Sequence, residues 1–123
     1  MASLVIFSTN VSRLAHFYES VLGVRALDDS SKDVRLVGDR EEILIHSIPT
    51  KSARTITVSS PPAAREGSPI KPVFDVASLS SVLDLVVATG GVVTDFQFSL
   101  DGLTRHDVLD PDGNVIQLRS PAA

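Results

Sequence analysis

The sequence predicts an α+β domain built from two βαβββ units, and three observations lead to this prediction. Two segments read alike when one is moved by 68 positions, so that Val5 falls on Val73 and Gly23 falls on Gly91. Each segment changes from a short β-rich run to apolar residues at helical spacing. Three further strand-like runs, bounded by turn residues, follow each helix. A repeat of this length is too long for a solenoid and fits the duplication of a supersecondary unit.

The first unit opens with a strand over residues 4–7, and a helix follows. Asn10 is placed as the N-cap, because its side-chain oxygen can accept from the first free amides of the helix. Gly23 is placed to end the helix in the left-handed conformation. Strands are predicted at 24–27, 33–37 and 41–48, with a turn at 38–40. The apolar face of the helix is formed by Val11, Leu14, Phe17, Tyr18 and Val21.

The second unit repeats this order from residue 72. Ser78 is the predicted N-cap, and the pair Gly90-Gly91 is expected to end the helix. Strands are predicted at 92–98, 104–109 and 114–119. Asp110 and Asp112 stand beside Pro111 and Gly113, so we interpret these two acids as turn residues and not as catalytic groups. The helical apolar face is formed by Leu79, Val82, Leu83 and Val86.

Residues 1–123 are predicted to form a single domain. Its first module covers residues 1–48, a linker covers 49–69, and the second module covers 70–123. The linker contains Pro61-Pro62 and is rich in serine and alanine. A short strand at 55–58 is a further possibility within it.

Composition excludes several functional classes. The chain has no cysteine, which rules out disulfides, thiolate nucleophiles and thiolate metal sites. Its net charge of -4 argues against nucleic-acid binding. The start of the chain lacks the features of a signal peptide, and no apolar run approaches the roughly 20 residues that span a bilayer. We therefore expect a cytoplasmic protein with neither a nucleic-acid nor a membrane partner.

Two motifs resemble those of a known superfamily. The helix region 10–23 contains Phe17-Tyr18 and ends in Leu22-Gly23, and residues 110–118 read Asp-Pro-Asp-Gly-Asn-Val-Ile-Gln-Leu. They resemble the opening helix and the closing hairpin of the vicinal oxygen chelate superfamily, which includes glyoxalase I, bleomycin-binding resistance proteins, fosfomycin resistance enzymes and extradiol dioxygenases. The likeness covers nearly the whole chain apart from the linker. It implies that the two modules form a curved, cavity-enclosing mixed sheet.

The resemblance also implies a divalent metal held by the first and fourth strand of each module. The corresponding positions are Ser3, Leu44 or His46, Lys71, and Gln117. A hydroxyl is a weak ligand, and an ammonium roughly 4 Å from a divalent cation costs several kcal/mol even at an effective dielectric of about 20. We therefore predict no metal and no cofactor. A relocated metal site built from His46, His106 and Gln117 is left as an alternative.

A metal-free cavity is predicted to bind a small molecule on an apolar surface with a few polar groups. Two alternatives stay open at this point: the histidines could instead bond backbone groups, and the two phenylalanines of the sixth strand could instead pack in the core. Lys71 and Asp75 could pair with each other. The predicted ligand-binding residues are Val5, Phe7, His46, Lys71, Asp75, Phe96, Phe98, His106 and Gln117.

The function predicted by this reasoning is a metal-free small-molecule binding protein of the glyoxalase/bleomycin-resistance type, which sequesters an aromatic drug or metabolite. No catalytic residue is assigned. The alternatives are a metal-dependent lyase, isomerase or dioxygenase of the same fold, and a partner-binding module without a small ligand. The resemblance also leads us to expect a homodimer.

Overall fold

A computed structural model of the chain describes residues 2–30, 32–48, 58–65 and 70–122. The order of its elements confirms the predicted pair of βαβββ units. The predicted short strand at 55–58 falls mainly on residues outside the described ones. The elements are, in chain order, β1 (Ala2–Ser8), α1 (Val11–Leu22), β2 (Arg25–Asp29), β3 (Asp33–Val37), β4 (Glu41–Ser47), β5 (Val73–Asp75), α2 (Leu79–Ala88), β6 (Val92–Leu100), β7 (Leu103–Leu109) and β8 (Val115–Pro121).

The strands form two mixed sheets of the same design. Their orders are β1-β4-β3-β2 and β5-β8-β7-β6. The outer pairs β1–β4 and β5–β8 are parallel, and the other pairs are antiparallel. The predicted mixed-sheet fold is confirmed, with the strands hydrogen-bonded as two four-stranded sheets. This matching order is what a duplicated unit produces.

Local sequence signals set the ends of the helices. The Asn10 side chain accepts a hydrogen bond from the Arg13 amide at 3.1 Å, and Gly23 ends α1 at a φ of 70°. Ser78 occupies the predicted N-cap position of α2, but its side chain makes no capping hydrogen bond there. Gly90 follows α2 with a φ of 93°. Within the described residues, neither helix has the length and apolar character that a bilayer crossing requires.

One face of each sheet packs against the helices and forms the core. Leu14 and Phe17 of α1 are fully buried, as are Ile45 of the first sheet and Leu118 of the second. Gly91 lies where α2, β7 and α1 converge, and a Cβ there would come within 2.9 Å of the Leu109 carbonyl, the Phe17 ring and the Val86 side chain. Each sheet therefore keeps a second face directed away from the helices, which we call its open face.

The turn between β7 and β8 fastens the second module to α1. The Tyr18 hydroxyl donates to Asp110 Oδ2 at 2.7 Å, and Asp110 Oδ1 accepts from the backbone amides of Asp112 and Asn114. Arg13 Nη2 donates to Asp112 Oδ1 at 3.2 Å. Asp110 is fully buried, and burial raises its pKa while the hydrogen bonds from Tyr18 and Asn114 oppose that rise. The predicted turn role of the two aspartates is therefore confirmed.

Tyr18 leads to a prediction about alkaline stability. Burial, and then the charge of Asp110, raise the pKa of Tyr18 well above its usual value. Above pH about 10 the unfolded chain releases the phenolic proton while the folded chain retains it, so we expect the free energy of unfolding to fall as the pH rises. Urea denaturation at a series of alkaline pH values measures this slope. Tyrosinate absorbance reports Tyr18 alone, because the chain has one tyrosine.

The matched control is Tyr18→Phe, which keeps the ring and removes the ionisable group. We expect the variant to have a shallower decline in stability over the same pH range. Tyrosinate absorbance from the folded, unaltered protein at pH about 10 would contradict the account, because it would mean that the pKa is not raised.

Candidate functional site

A buried carboxylate organises the open face of the second sheet. Asp107 of β7 is only 6% exposed. Lys71 Nζ donates to Asp107 Oδ2 at 2.5 Å, and Gln117 Nε2 donates to Asp107 Oδ1 at 3.1 Å. A carboxylate removed from water needs such charged and polar partners. Arg105 completes the group, which we call the polar cluster: Lys71, Arg105, Asp107 and Gln117.

Hydrogen bonding fixes both ends of the Gln117 amide. Its nitrogen faces Asp107, and its Oε1 accepts from Arg105 Nη1 at 3.3 Å. Gln117 is paired with Val73 in the β5–β8 register, so Lys71 lies two residues before the register begins. The prediction that Lys71 stands on the fifth strand is therefore wrong, since β5 starts at Val73.

Two phenylalanines border the polar cluster. Phe96 and Phe98 of β6 are 55% and 38% exposed, and their ring centroids lie 5.5 Å apart in an edge-to-face arrangement. Lys71 Nζ lies 5.2 Å from the Phe96 centroid, and Arg105 Cζ lies 5.9 Å from the Phe98 centroid. Of the two alternatives left open for these residues, core packing is therefore wrong. Both rings offer apolar surface to solvent beside cationic groups.

Asp75 forms a second charged group on the same open face. Arg119 Nε donates to Asp75 Oδ1 at 2.5 Å, and Arg40 Nη1 lies 3.9 Å from Asp75 Oδ2. The hydrogen bond from Arg119 is the main reason that the pKa of Asp75 is lowered. Lys71 and Asp75 thus have separate partners, and the possibility that they pair with each other is not realised.

Three predicted residues lie on the open face of the first sheet. Val5 and Phe7 are 50% and 59% exposed there. Phe7 stands opposite His46 in the β1–β4 register, and their ring centroids are 5.8 Å apart. His46 Nδ1 is bonded to the carboxylate of Asp33. A crevice of about 240 Å³ extends from Val5 and Phe7 towards Ile70, which is below the roughly 300–1,000 Å³ of typical small-molecule pockets.

His106 does not join the other predicted site residues. It stands opposite Leu118 in the β7–β8 register and shares its face of β7 with Val108, and both of those residues are fully buried in the core. Its Nε2 is 2.6 Å from the Thr94 carbonyl, which lies where the β6–β7 register is interrupted. The prediction that His106 points into the cavity is therefore wrong, and the alternative of a backbone hydrogen bond describes it.

The first-module positions that the resemblance assigns to metal ligands carry no free ligand groups. Val5 is paired with Leu44, as Val73 is paired with Gln117, so the equivalent fourth-strand position is Leu44 and not His46. Leu44 offers no ligand atom. The Ser3 hydroxyl donates to Glu42 at 2.8 Å, and this bond, followed by the one from Arg35, lowers the pKa of Glu42.

The second-module positions are equally unsuited to a divalent cation. Lys71 brings a positive charge, and the Gln117 oxygen is already bonded to Arg105. The alternative metal site built from His46, His106 and Gln117 also fails. His46 lies on the open face of the first sheet, whereas His106 lies on the core side of the second sheet. In the described ranges no three histidine, aspartate or glutamate side chains are grouped to hold a metal ion. The residues present do not fit the metal of the superfamily.

Comparison with known proteins finds similar solved structures, but no protein-family model and no curated protein matches the sequence. A glyoxalase/bleomycin resistance protein/dioxygenase family enzyme from Burkholderia phytofirmans PsJN is similar in structure, with a TM-score of 0.73, 17% identity, and coverage of 98% of this chain and 97% of that one. The chain has the vicinal oxygen chelate fold.

Other solved structures with the vicinal oxygen chelate fold agree. A glyoxalase/bleomycin resistance protein from Albidiferax ferrireducens T118 has a TM-score of 0.71 and 17% identity, covering 99% of this chain and 98% of that one. The fosfomycin resistance protein FosX from Mesorhizobium loti has a TM-score of 0.65 and 11% identity, covering 98% of this chain and 89% of that one. At these identities the likeness establishes the fold alone.

Sequence reasoning overlooked two members of the polar cluster, Arg105 and Asp107. A signal for both was present, because β7 and β8 are joined by the Asp110–Gly113 turn. Counting back from that turn pairs Asp107 with Gln117 and Arg105 with Arg119. Strand alternation then places Arg105 and Asp107 on the face opposite to His106.

Proposed function

We propose that this protein binds a small aromatic molecule without a metal ion, on the open face of its second sheet. The observation that carries the proposal is the polar cluster, in which Lys71 and Gln117 satisfy the Asp107 carboxylate. These are the positions at which the superfamily resemblance would place metal ligands. The proposed ligand-binding residues of this face are Lys71, Asp75, Phe96, Phe98 and Gln117, joined by Arg105 and Asp107.

The exposed aromatic pair supports an aromatic ligand. Phe96 and Phe98 already form an edge-to-face contact with each other, and both rings keep free surface on which a planar molecule can stack. Large apolar side chains on an otherwise polar surface commonly mark a ligand or partner site. The hydrogen bonds of the polar cluster fix donors beside these rings, and such fixed polar groups give a pocket its specificity.

A metal-dependent lyase, isomerase or dioxygenase of the same fold is the competing function. The similar structures include a glyoxalase-related enzyme from Fulvimarina pelagi, so an enzyme is a reasonable second candidate for a protein of this fold. The ammonium of Lys71 and the guanidinium of Arg105 count against it here, since both would repel a divalent cation. We assign no residue a catalytic role.

A binding experiment separates the two functions. We expect isothermal titration calorimetry in buffer with EDTA to find binding among planar aromatic compounds. Phe96→Ala and Phe98→Ala should each weaken that binding by about 1 kcal/mol or more, because each removes part of the stacking surface. Val87→Ala is the matched control, since Val87 is an exposed apolar residue on α2 and should leave binding unchanged. Binding that appears only when a divalent metal is added would favour the enzyme.

We also propose that two copies associate through the open face of the first sheet. Val5 and Phe7 are large apolar residues exposed two positions apart on β1, and exposed apolar groups of this kind mark interfaces. A second sheet packed over them would remove this surface from water and complete the small crevice beside Val5. The cytoplasmic location stays a prediction from the sequence.

Sedimentation equilibrium tests the proposed dimer. We expect the unaltered protein to sediment at twice the chain mass and Phe7→Asp to sediment as a monomer, because the change would bury a carboxylate without a partner in the interface. Val87→Asp makes the same change on an exposed helix residue and should remain dimeric. An unaltered protein that is monomeric at every concentration would contradict the proposal.

A further inference from the structure

Arg105 carries a positive charge that has no direct ion pair in the described part of the chain, although this charge adds to the effect of Arg119 in lowering the pKa of Asp75. The one hydrogen bond that Arg105 makes to a described residue runs from Nη1 to the neutral amide oxygen of Gln117, at 3.3 Å. Its Nε is shielded from solvent and has no hydrogen-bond partner within the described ranges. Among the described residues, no carboxylate lies within ion-pair distance of this guanidinium. A guanidinium has five donors, so most of its bonding capacity is unused.

The residues around Arg105 add to the unpaired positive charge at this position. Arg119 stands directly opposite Arg105 in the β7–β8 register, and like charges opposed in this way repel. The nearby carboxylate of Asp75 is already shared by Arg119 and Arg40. Asp107 is likewise engaged by Lys71 and Gln117. The described residues of the open face of the second sheet therefore have an excess of positive charge, although the whole chain has a net charge of -4.

The surface beside Arg105 is aromatic. Arg105 Cζ lies 5.9 Å from the Phe98 ring centroid, and Phe98 is in edge contact with Phe96. A planar ligand lying on these rings would bring a substituent at its edge to the guanidinium. Guanidinium groups bind carboxylates through two parallel hydrogen bonds, a geometry that neutral groups do not reproduce.

We propose that the ligand of this site is a planar aromatic anion, with its carboxylate or a similar acidic group bound by Arg105 and its ring stacked on Phe96 and Phe98. The inference rests on the proposed binding function and names the chemical class of its ligand. The anion supplies the counter-ion that Arg105 lacks and reduces the repulsion between Arg105 and Arg119. A cationic aromatic compound would instead increase that repulsion.

Matched pairs of acids and amides test this inference. The probes are naphthoate with naphthamide, and anthracenecarboxylate with its amide, titrated calorimetrically into the unaltered protein. Each pair has the same ring and differs in charge. We expect each acid to bind at least about tenfold more tightly than its amide, because the bond to a charged group is the stronger one. Added salt should weaken binding of the acids and leave that of the amides nearly unchanged.

Variants of the arginine identify the group that discriminates. Arg105→Gln should remove the preference for the acid, so that each acid binds no more tightly than its amide, and Arg105→Lys should retain part of the preference. Arg25→Gln is the matched control, because it removes the same charge from an exposed position on the first sheet. The comparison of acids with amides uses the unaltered protein, so it remains decisive even if an Arg105 variant fails to fold.

Different experimental results would overturn the ligand class and the binding function. Equal binding of acids and amides, or an acid preference that survives Arg105→Gln, would overturn the inference and leave metal-free aromatic binding intact. Absence of binding by both members of every pair would overturn both proposals together.

Discussion

The hydrogen bonds to the Asp110 carboxylate are the interaction on which the arrangement of the two modules depends. Tyr18 reaches this carboxylate from the first module, and the amides of Asp112 and Asn114 reach it from the second. A buried carboxylate that loses one donor costs about 1–3 kcal/mol, so the turn and α1 are held together strongly. Because both helices pack behind the sheets, the two open faces are left as the surfaces available to other molecules.

The open face of the second sheet also contains a buried carboxylate that is held by hydrogen bonds, but this carboxylate has a partly exposed partner. Asp107 is buried like Asp110, but its partner Lys71 is half exposed and lies beside the Phe96 ring. In the part of the chain that the structure describes, the charges on this face are paired with one another, with Arg105 as the exception. This is the ground on which we propose an organic anion and not a divalent cation as the ligand. The proposed function therefore depends on two features of this face: Asp107 is already paired with Lys71, and Arg105 has no described carboxylate partner.

The elements that could be predicted from the sequence are those set by local interactions. The cap of α1 at Asn10, its end at Gly23 and the turn at Asp110–Gly113 each depend on residues close together in the chain. The Asp101-Gly102 turn between β6 and β7, where both residues have positive φ, carried an equally local signal that was not used. Strand register, by contrast, decides which side chains meet, and it places Asp107 rather than His106 beside Gln117. The interruption in the β6–β7 register near Thr94 has no local sequence signal, and His106 is bonded there instead.

The central claim is that the site on the open face of the second sheet holds no divalent metal, and the metal content of the protein tests it most directly. Protein purified without chelator is measured by elemental analysis before and after dialysis against nickel, zinc, iron or manganese. The account predicts far less than one transition-metal ion per chain under each condition, because Lys71 and Arg105 occupy the surroundings in which the cation would lie. One tightly held ion per chain that is lost on Gln117→Ala would contradict it.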